Sequence, residues 1–229
     1  MAQSNEGGWQ DYRGKTEGVL IHVGSARHHA LPVRELIDSN GRTVLEPNYE
    51  TGTYGLIQCQ EARTRLAALK ARRRYFLFGT RYQGLVEEAR GRFYIVGTMR
   101  LEKSLEVRKR HVHKWMEQKD TTPPTPAPEC MEMDECYAYQ SGEMNFYALE
   151  DCFELTEPLM KSWGYKGKIT KQMKLTFSED KVNLILEHFK GKTPRNAEFQ
   201  AAVRELEEKA EAAEAEKAAK AATAEPSGW

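Results

Sequence analysis

The chain has 229 residues, 40% of them apolar and 30% charged, with 34 basic and 34 acidic side chains. A net charge of zero excludes attraction of the whole molecule to a polyanion, and no stretch approaches the ~20 consecutive apolar residues of a membrane-crossing helix. The length suits one domain of about 150–200 residues with a tail, or two small ones. The charge is unevenly spread, however. Between Gln60 and Gln118 there are 15 Lys and Arg against 6 Glu. A local excess of this kind predicts an anionic partner on one face, although a solvated basic surface has the same composition.

Residues 1–17 are polar and glycine-containing and predict a flexible arm. Gly18–Gly24 (GVLIHVG) alternates Val19, Ile21 and Val23 with Leu20 and His22, as a strand does. Leu31–Ile37 suits a short helix after Pro32, stopped at Ser39-Asn40-Gly41. Thr43–Leu45 reads as a short strand and Pro47–Gly55 as a loop. Gln60–Arg73 carries Ala62, Leu66 and Leu69 at helical spacing with cations between them. It leads straight into Tyr75-Phe-Leu-Phe78, a short aromatic and apolar run ended by Gly79. A second such run, Phe93-Tyr-Ile-Val96, is ended by Gly97. Runs of four between turn residues predict a connected pair of buried strands, with the two glycines marking bulges or close approaches.

Val107–Gln118 is a basic segment, and Asp120–Glu129 contains four prolines, which predicts an exposed loop at 119–129. Cys136–Tyr139, Met144–Leu149 and Cys152–Leu155 read as strands, Pro158–Trp163 as a loop or turn, and Met173–Phe177 as a last strand. Ser178 reads as the N-cap of an amphipathic helix with Val182, Ile185, Leu186 and Phe189 on its apolar stripe, ended by Gly191. Residues 193–229 are rich in Ala, Glu and Lys and predict a helical tail. Phe199, Val203 and Leu206 dock it, and beyond Ala210 it is solvated and frays, or takes a protein partner.

Cys59, Cys130, Cys136 and Cys152 form no Cys-x-x-Cys pair, and no apolar leader stands before them. The expectation is a soluble, cytoplasmic protein with reduced thiols and no membrane association. His111 and His113 with Cys130 and Cys136 fit no zinc spacing, so no metal and no cofactor is expected. Phosphate-loop, dinucleotide, nucleophile-elbow and zinc-protease motifs are absent, and the acidic residues form no obvious pair. Nothing in these residues demands an enzyme.

The order of these pieces resembles the EVE domain of the PUA-like group, which also holds the YTH and ASCH domains. The residues concerned are GVLIHVG, PVRELID, Tyr54-Gly55, Gln60-Glu-Ala-Arg63, YFLFGT, Ile95-Val-Gly97 and Phe153-Glu-Leu155-Thr-Glu-Pro158-Leu159, within residues 18–192. Tyr54 stands where the family has tryptophan, Gly79-Thr80-Arg81 where it has a His-Ser-Asn type segment, and Ile21 and His22 where its first strand often has tryptophan. The resemblance implies an α+β fold, a small mixed β-barrel flanked by helices. It also implies a non-enzymatic reader that holds a modified base, flipped from DNA or RNA, in an aromatic-lined pocket. On that reading His22, Ser25, Tyr54, Gly79, Thr80 and Tyr82 frame the base, by stacking and by polar contacts to its edge. Arg63, Arg65, Lys70, Arg72, Arg73, Arg74, Arg108, Lys109, Arg110 and Lys114 hold the nucleic-acid backbone. A competing resemblance is carried by Tyr75–Gly84 (YFLFGTRYQG), similar to the Tyr-Gly-Thr loop of gamma-glutamyl cyclotransferase-like enzymes. That reading requires an acidic residue facing Gly79.

Overall fold

The computed structural model describes residues 10–11, 17–34, 47, 49, 52–57, 73–101, 103–108, 135–141, 143–166, 169 and 175–223. The expectations for 60–72, 119–129 and Thr43–Leu45 lie outside these residues.

Both aromatic runs are strands, and both are longer than the runs themselves. The strands are β1 (Gln10–Asp11), β2 (Glu17–His22), β3 (Thr53–Ile57), β4 (Arg73–Arg81) and β5 (Phe93–Arg100), followed by β6 (Lys103–Arg108). After them come β7 (Glu135–Gln140), β8 (Met144–Phe146), β9 (Phe153–Glu154), α1 (Glu157–Ser162), β10 (Thr176–Phe177), α2 (Glu179–Phe189) and α3 (Asn196–Thr223). A four-stranded sheet has the order β1-β6-β7-β3. A six-stranded sheet has the order β10-β2-β4-β5-β8, with β9 also paired to β5. The fold is thus mixed α+β, and the six-stranded sheet is open rather than closed on itself. No helix of the described residues is long and apolar enough to cross a membrane.

The centre of the larger sheet is the predicted pair. β4 and β5 run antiparallel, with Phe78 opposite Gly97 and a register shift between Phe78 and Gly79. β2 lies along the other side of β4 in parallel, with Leu20 opposite Leu77 and His22 opposite Gly79. The two glycines are required by close packing rather than by turn geometry. A Cβ on Gly79 would stand 2.6 Å from the Leu20 side chain, and one on Gly97 2.6 Å from the Phe146 ring.

Alternation divides the sheet into two faces. On one, Phe76, Phe78 and Phe146 pack with Tyr54 of β3 and Phe199 of α3, so aromatic rings join the two sheets and the tail helix. On the other, Leu77 and the backbone of Gly18 meet Val182 of α2, whose buried residues are Val182, Ile185 and Phe189.

Several boundaries differ from the sequence reading. Pro158–Trp163 is not a loop: α1 occupies Glu157–Ser162, with the Thr156 hydroxyl accepting from the Leu159 amide at 3.3 Å and a proline in the first turn. The basic segment read from Val107 is preceded by a strand, β6, that reaches Arg108. Leu31–Arg34 are not helical, and the strand at Met144 stops at Phe146 before a single 3-10 turn at Leu149–Asp151. Ser178 is the N-cap residue of α2, but its hydroxyl donates to the Asp180 carboxylate instead of capping a backbone amide.

α3 is tied to the larger sheet by its first residue. The Asn196 side chain accepts from the Phe146 amide at 2.8 Å and donates to the Met144 carbonyl at 2.6 Å. The Arg195 amide donates to the Phe146 carbonyl at 2.7 Å. The outer edge of β8 is therefore bonded as a neighbouring strand would bond it. Phe199, Ala202 and Val203 are buried, and the described side chains beyond Ala210 are exposed.

Candidate nucleic-acid interface at the ends of β2 and β4

The pairing of parallel strands β2 and β4 ends at His22 and Gly79, two residues before the end of β4. The chain after β2 then turns back: the Val23 amide donates to the Gly79 carbonyl at 2.8 Å and the Ala26 amide to the Val33 carbonyl at 2.9 Å. The chain after β4 runs beside it. The Ser25 hydroxyl accepts from the Gln83 amide at 3.2 Å, and the Leu85 amide donates to the His29 carbonyl at 3.3 Å. Two segments more than fifty residues apart in sequence are thus locked together, and five of the six predicted base-framing residues meet at this one end of the sheet.

They do not all face one space. Tyr82 is fully buried; its hydroxyl donates to the Ala30 carbonyl at 2.8 Å and accepts from the Val86 amide at 3.2 Å. Its role is a clamp between the two loops, and neither face of its ring is open for a base to stack on. Tyr54 is 6% exposed and edge-on to Phe76 and Phe78, at ring-centroid distances of 5.7 and 5.3 Å. It belongs to the aromatic face, as does Thr80, which lies opposite Tyr94. The Thr80 hydroxyl is buried and has no hydrogen-bond partner among the described residues. His22 and Gly79 are on the other face, and the half-buried His22 ring lies 5.8 Å from that of Phe93. Gly79 is faced by Leu20 and Phe93. The buried polar side chains among the described residues are Ser25, Thr80, Thr98 and Ser141, so no described carboxylate faces Gly79 as the cyclotransferase-like reading requires.

The exposed part of this end carries both signs of charge, with Glu87 and Glu88 on the β4–β5 connection and Glu87 3.8 Å from Arg90. Arg27 and His28 stand on the loop after Ser25, and Arg81, Arg90 and Arg92 are exposed on the β4–β5 side. Arg81 is committed: its guanidinium donates to the Gly91 carbonyl at 2.5 Å and the Ile169 carbonyl at 2.6 Å. Arg90 donates to the Gly84 carbonyl at 2.8 Å, and Arg92 is 3.5 Å from Glu154. Arg27 makes no ion pair among the described residues, and it is the cation that the sequence reading overlooked. The Ser25-Ala-Arg27-His-His29 run, between a strand end and Pro32, was its signal.

Of the predicted backbone cations, Arg73 and Arg74 open β4, at the opposite end of the strand from Gly79, and Arg108 closes β6. Six residues of strand separate Arg73 from Gly79, about 20 Å. Arg63, Arg65, Lys70, Arg72, Lys109, Arg110 and Lys114 lie outside the described residues. No cluster of three or more metal-ligating side chains occurs among the described residues. Cys152 is buried, and its thiol donates to the Ala148 carbonyl at 3.2 Å. Burial, reinforced by Asp151, raises its pKa far above that of a free thiol, which disfavours the thiolate. Comparison with protein-family models, with curated proteins and with solved structures found no match for this chain.

Proposed function

We propose that the protein is a non-enzymatic nucleic-acid-binding module of PUA-like, EVE type, with a barrel-like core, and that it reads a base at the paired ends of β2 and β4. The observation that carries this reading is the convergence of His22, Ser25, Gly79, Thr80 and Tyr82 at one end of the sheet, beside the exposed cation Arg27. Supporting it, the pieces behind the resemblance form adjoining strands: GVLIHVG overlaps β2, YFLFGT lies in β4 and YIVG in β5. On this reading the half-buried His22 ring offers a face to a base. Ser25 and Tyr82 hold the two loops rigid, and the orphan Thr80 hydroxyl marks where the buried side is polar. Arg27 takes the phosphate next to the base. Arg73 and Arg74, about 20 Å away along β4, reach only a ligand long enough to span the strand. The favoured ligand is therefore an oligonucleotide, DNA or RNA, plain or modified.

The test is a titration of labelled DNA and RNA oligonucleotides, plain and base-modified, at two salt concentrations. Reversing Arg72, Arg73 and Arg74 to Glu is expected to weaken binding of every long oligonucleotide and to flatten its salt dependence, because phosphate contacts release counterions and do not distinguish bases. Arg27→Glu is expected to do the same for short ones. His22→Ala is expected to cost about 1–3 kcal/mol, the range for a lost stacking contact, and mainly on the oligonucleotide that carries the preferred base. Wild-type protein that binds none of them better than a neutral control protein would overturn the proposal.

A further inference from the structure

A second concave site lies on the same sheet, at the opposite end of β4 from His22. It is a groove of about 470 Å³ between the open face of the larger sheet and helix α2. Its floor is a row across three strands: Leu77 pairs with Thr98 and Thr98 with Asn145, so Thr98 and Asn145 share the face that carries Tyr75. Its wall is α2, where Asn183 and Leu186 are spaced to project side by side. Its inner end is closed by Tyr147, stacked on Phe189 at 4.2 Å between ring centroids and 12° between planes.

The chemistry of the lining is specific. Thr98 is 4% exposed, yet its hydroxyl makes no hydrogen bond among the described residues. The side chains of Asn145 and Asn183 and the hydroxyl of Tyr75 are equally uncommitted among those residues. These groups line the groove, where a ligand can take the place of water as their hydrogen-bond partner. The charges at the rim are paired with each other: Lys190 is 3.0 Å from Glu187, and Arg100 is 3.1 Å from Glu143. The groove thus offers no free charge to an ion. It offers two planar carboxamides, each with a donor and an acceptor, beside hydroxyls and an aromatic ring.

We propose that this groove binds a neutral nucleobase, taken either as a free nucleoside or from a nucleic-acid strand. A carboxamide pairs bidentately with the adjacent donor and acceptor on a base edge, as asparagine does with adenine. The half-buried Tyr75 ring supplies a stacking surface of the kind bases use. The site is separate from the ends of β2 and β4 and does not depend on the reading given for them.

The experiment is a nuclear magnetic resonance titration of the full chain with adenosine, guanosine, cytidine and uridine, with glucose as the neutral control. At least one nucleoside is expected to shift the side-chain amides of Asn145 and Asn183 saturably, to the same extent at two salt concentrations. Asn145→Ala with Asn183→Ala is expected to weaken that binding at least tenfold without changing the melting temperature. Should the double variant fold poorly, Asn183→Ala alone decides, because that position is exposed. Competition with a short oligonucleotide separates the two sources: displacement of the nucleoside points to a strand, retention to a free nucleoside. The proposal is overturned if no nucleoside moves these amides at millimolar concentration, if glucose moves them equally, or if the variants bind as well as the wild type. Loss of oligonucleotide binding in Arg27→Glu with nucleoside binding intact would concern only the other site.

Discussion

On one face of the six-stranded sheet, Phe76, Phe78 and Phe146 are each no more than 1% exposed and meet rings from β3 and α3. On the other, Tyr75, Thr98 and Asn145 look into a groove and leave hydroxyl and carboxamide groups uncommitted among the described residues. The same strands supply both faces, since neighbouring residues point opposite ways. The difference lies in what covers them. The aromatic face is roofed by a second sheet and a helix, which between them fill its space. The opposite face is covered by α2 and by Trp163 at the end of α1, and a groove remains beside Thr98 and Asn145. Stability should therefore reside mainly in the first face, whereas the second has spare capacity for a ligand.

Substitutions of matched severity on the two faces put that contrast to the test. Phe146→Ala is expected to be the most damaging, because this ring contacts Tyr49 at 4.7 Å, Phe78 at 5.0 Å and Phe199 at 5.4 Å. A loss of about 3–5 kcal/mol in denaturant unfolding is expected for a buried phenylalanine cut to alanine. Asn196→Ala should come next. It removes two hydrogen bonds from β8 and leaves a backbone amide and a carbonyl short of partners, about 1–3 kcal/mol. Thr98→Val, equally buried but facing the groove, should cost about 1 kcal/mol or less, since it deletes a hydroxyl with no described partner. If Thr98→Val proved as costly as Phe146→Ala, the two faces would not differ in the way described.

The smallest effect is expected at the start of α2. The Ser178 hydroxyl holds the Asp180 carboxyl below the usual carboxylate range. A depressed folded-state pKa gives a contribution that is complete above the unfolded value, near ~4, and is lost as the pH falls through the folded value. Asp180→Asn should leave the melting temperature at neutral pH almost unchanged and make its fall below about pH 4 slightly shallower. A large shift at neutral pH would mean that Asp180 does more than answer Ser178.

How legible these features were depends on how local their cause is. YFLFGT and YIVG announced themselves because four aromatic or apolar residues ended by a glycine have few other solutions. The helix after Ser178 was legible from the spacing of Val182, Ile185 and Phe189, although the hydroxyl turned to Asp180 rather than to the backbone. α1 was missed, since six residues are too few for a periodic stripe and Pro158 suggested a break. Thr156, followed by an acidic residue and proline, was the start signal. β6 was missed because its alternation of Leu105 and Val107 with charged residues was read as part of a basic stretch. Of the candidate site, the meeting of His22 with Gly79 followed from the strand order behind the resemblance, but the burial of Tyr54 and Tyr82 did not. A tyrosine reads the same in sequence whether its ring lines a pocket or clamps a loop. Neither the groove nor the Asn196 bridge was legible at all, because each joins residues dozens of positions apart through pairing that no short window contains.

The Asn196 bridge also bears on the order in which the molecule can be made. β8 ends at Phe146, but the side chain that closes its outer edge arrives fifty residues later, with the start of α3. Until that segment has left the ribosome, and until Phe199 can seat behind it, the sheet presents a strand with unpaired amides and carbonyls next to a half-covered aromatic surface. Such an edge is a template for pairing with other chains. Chains stalled or cut before residue 196 are therefore expected to aggregate, and completed chains to stay dispersed. The first turn of the tail helix thus serves as a late seal on the nascent chain.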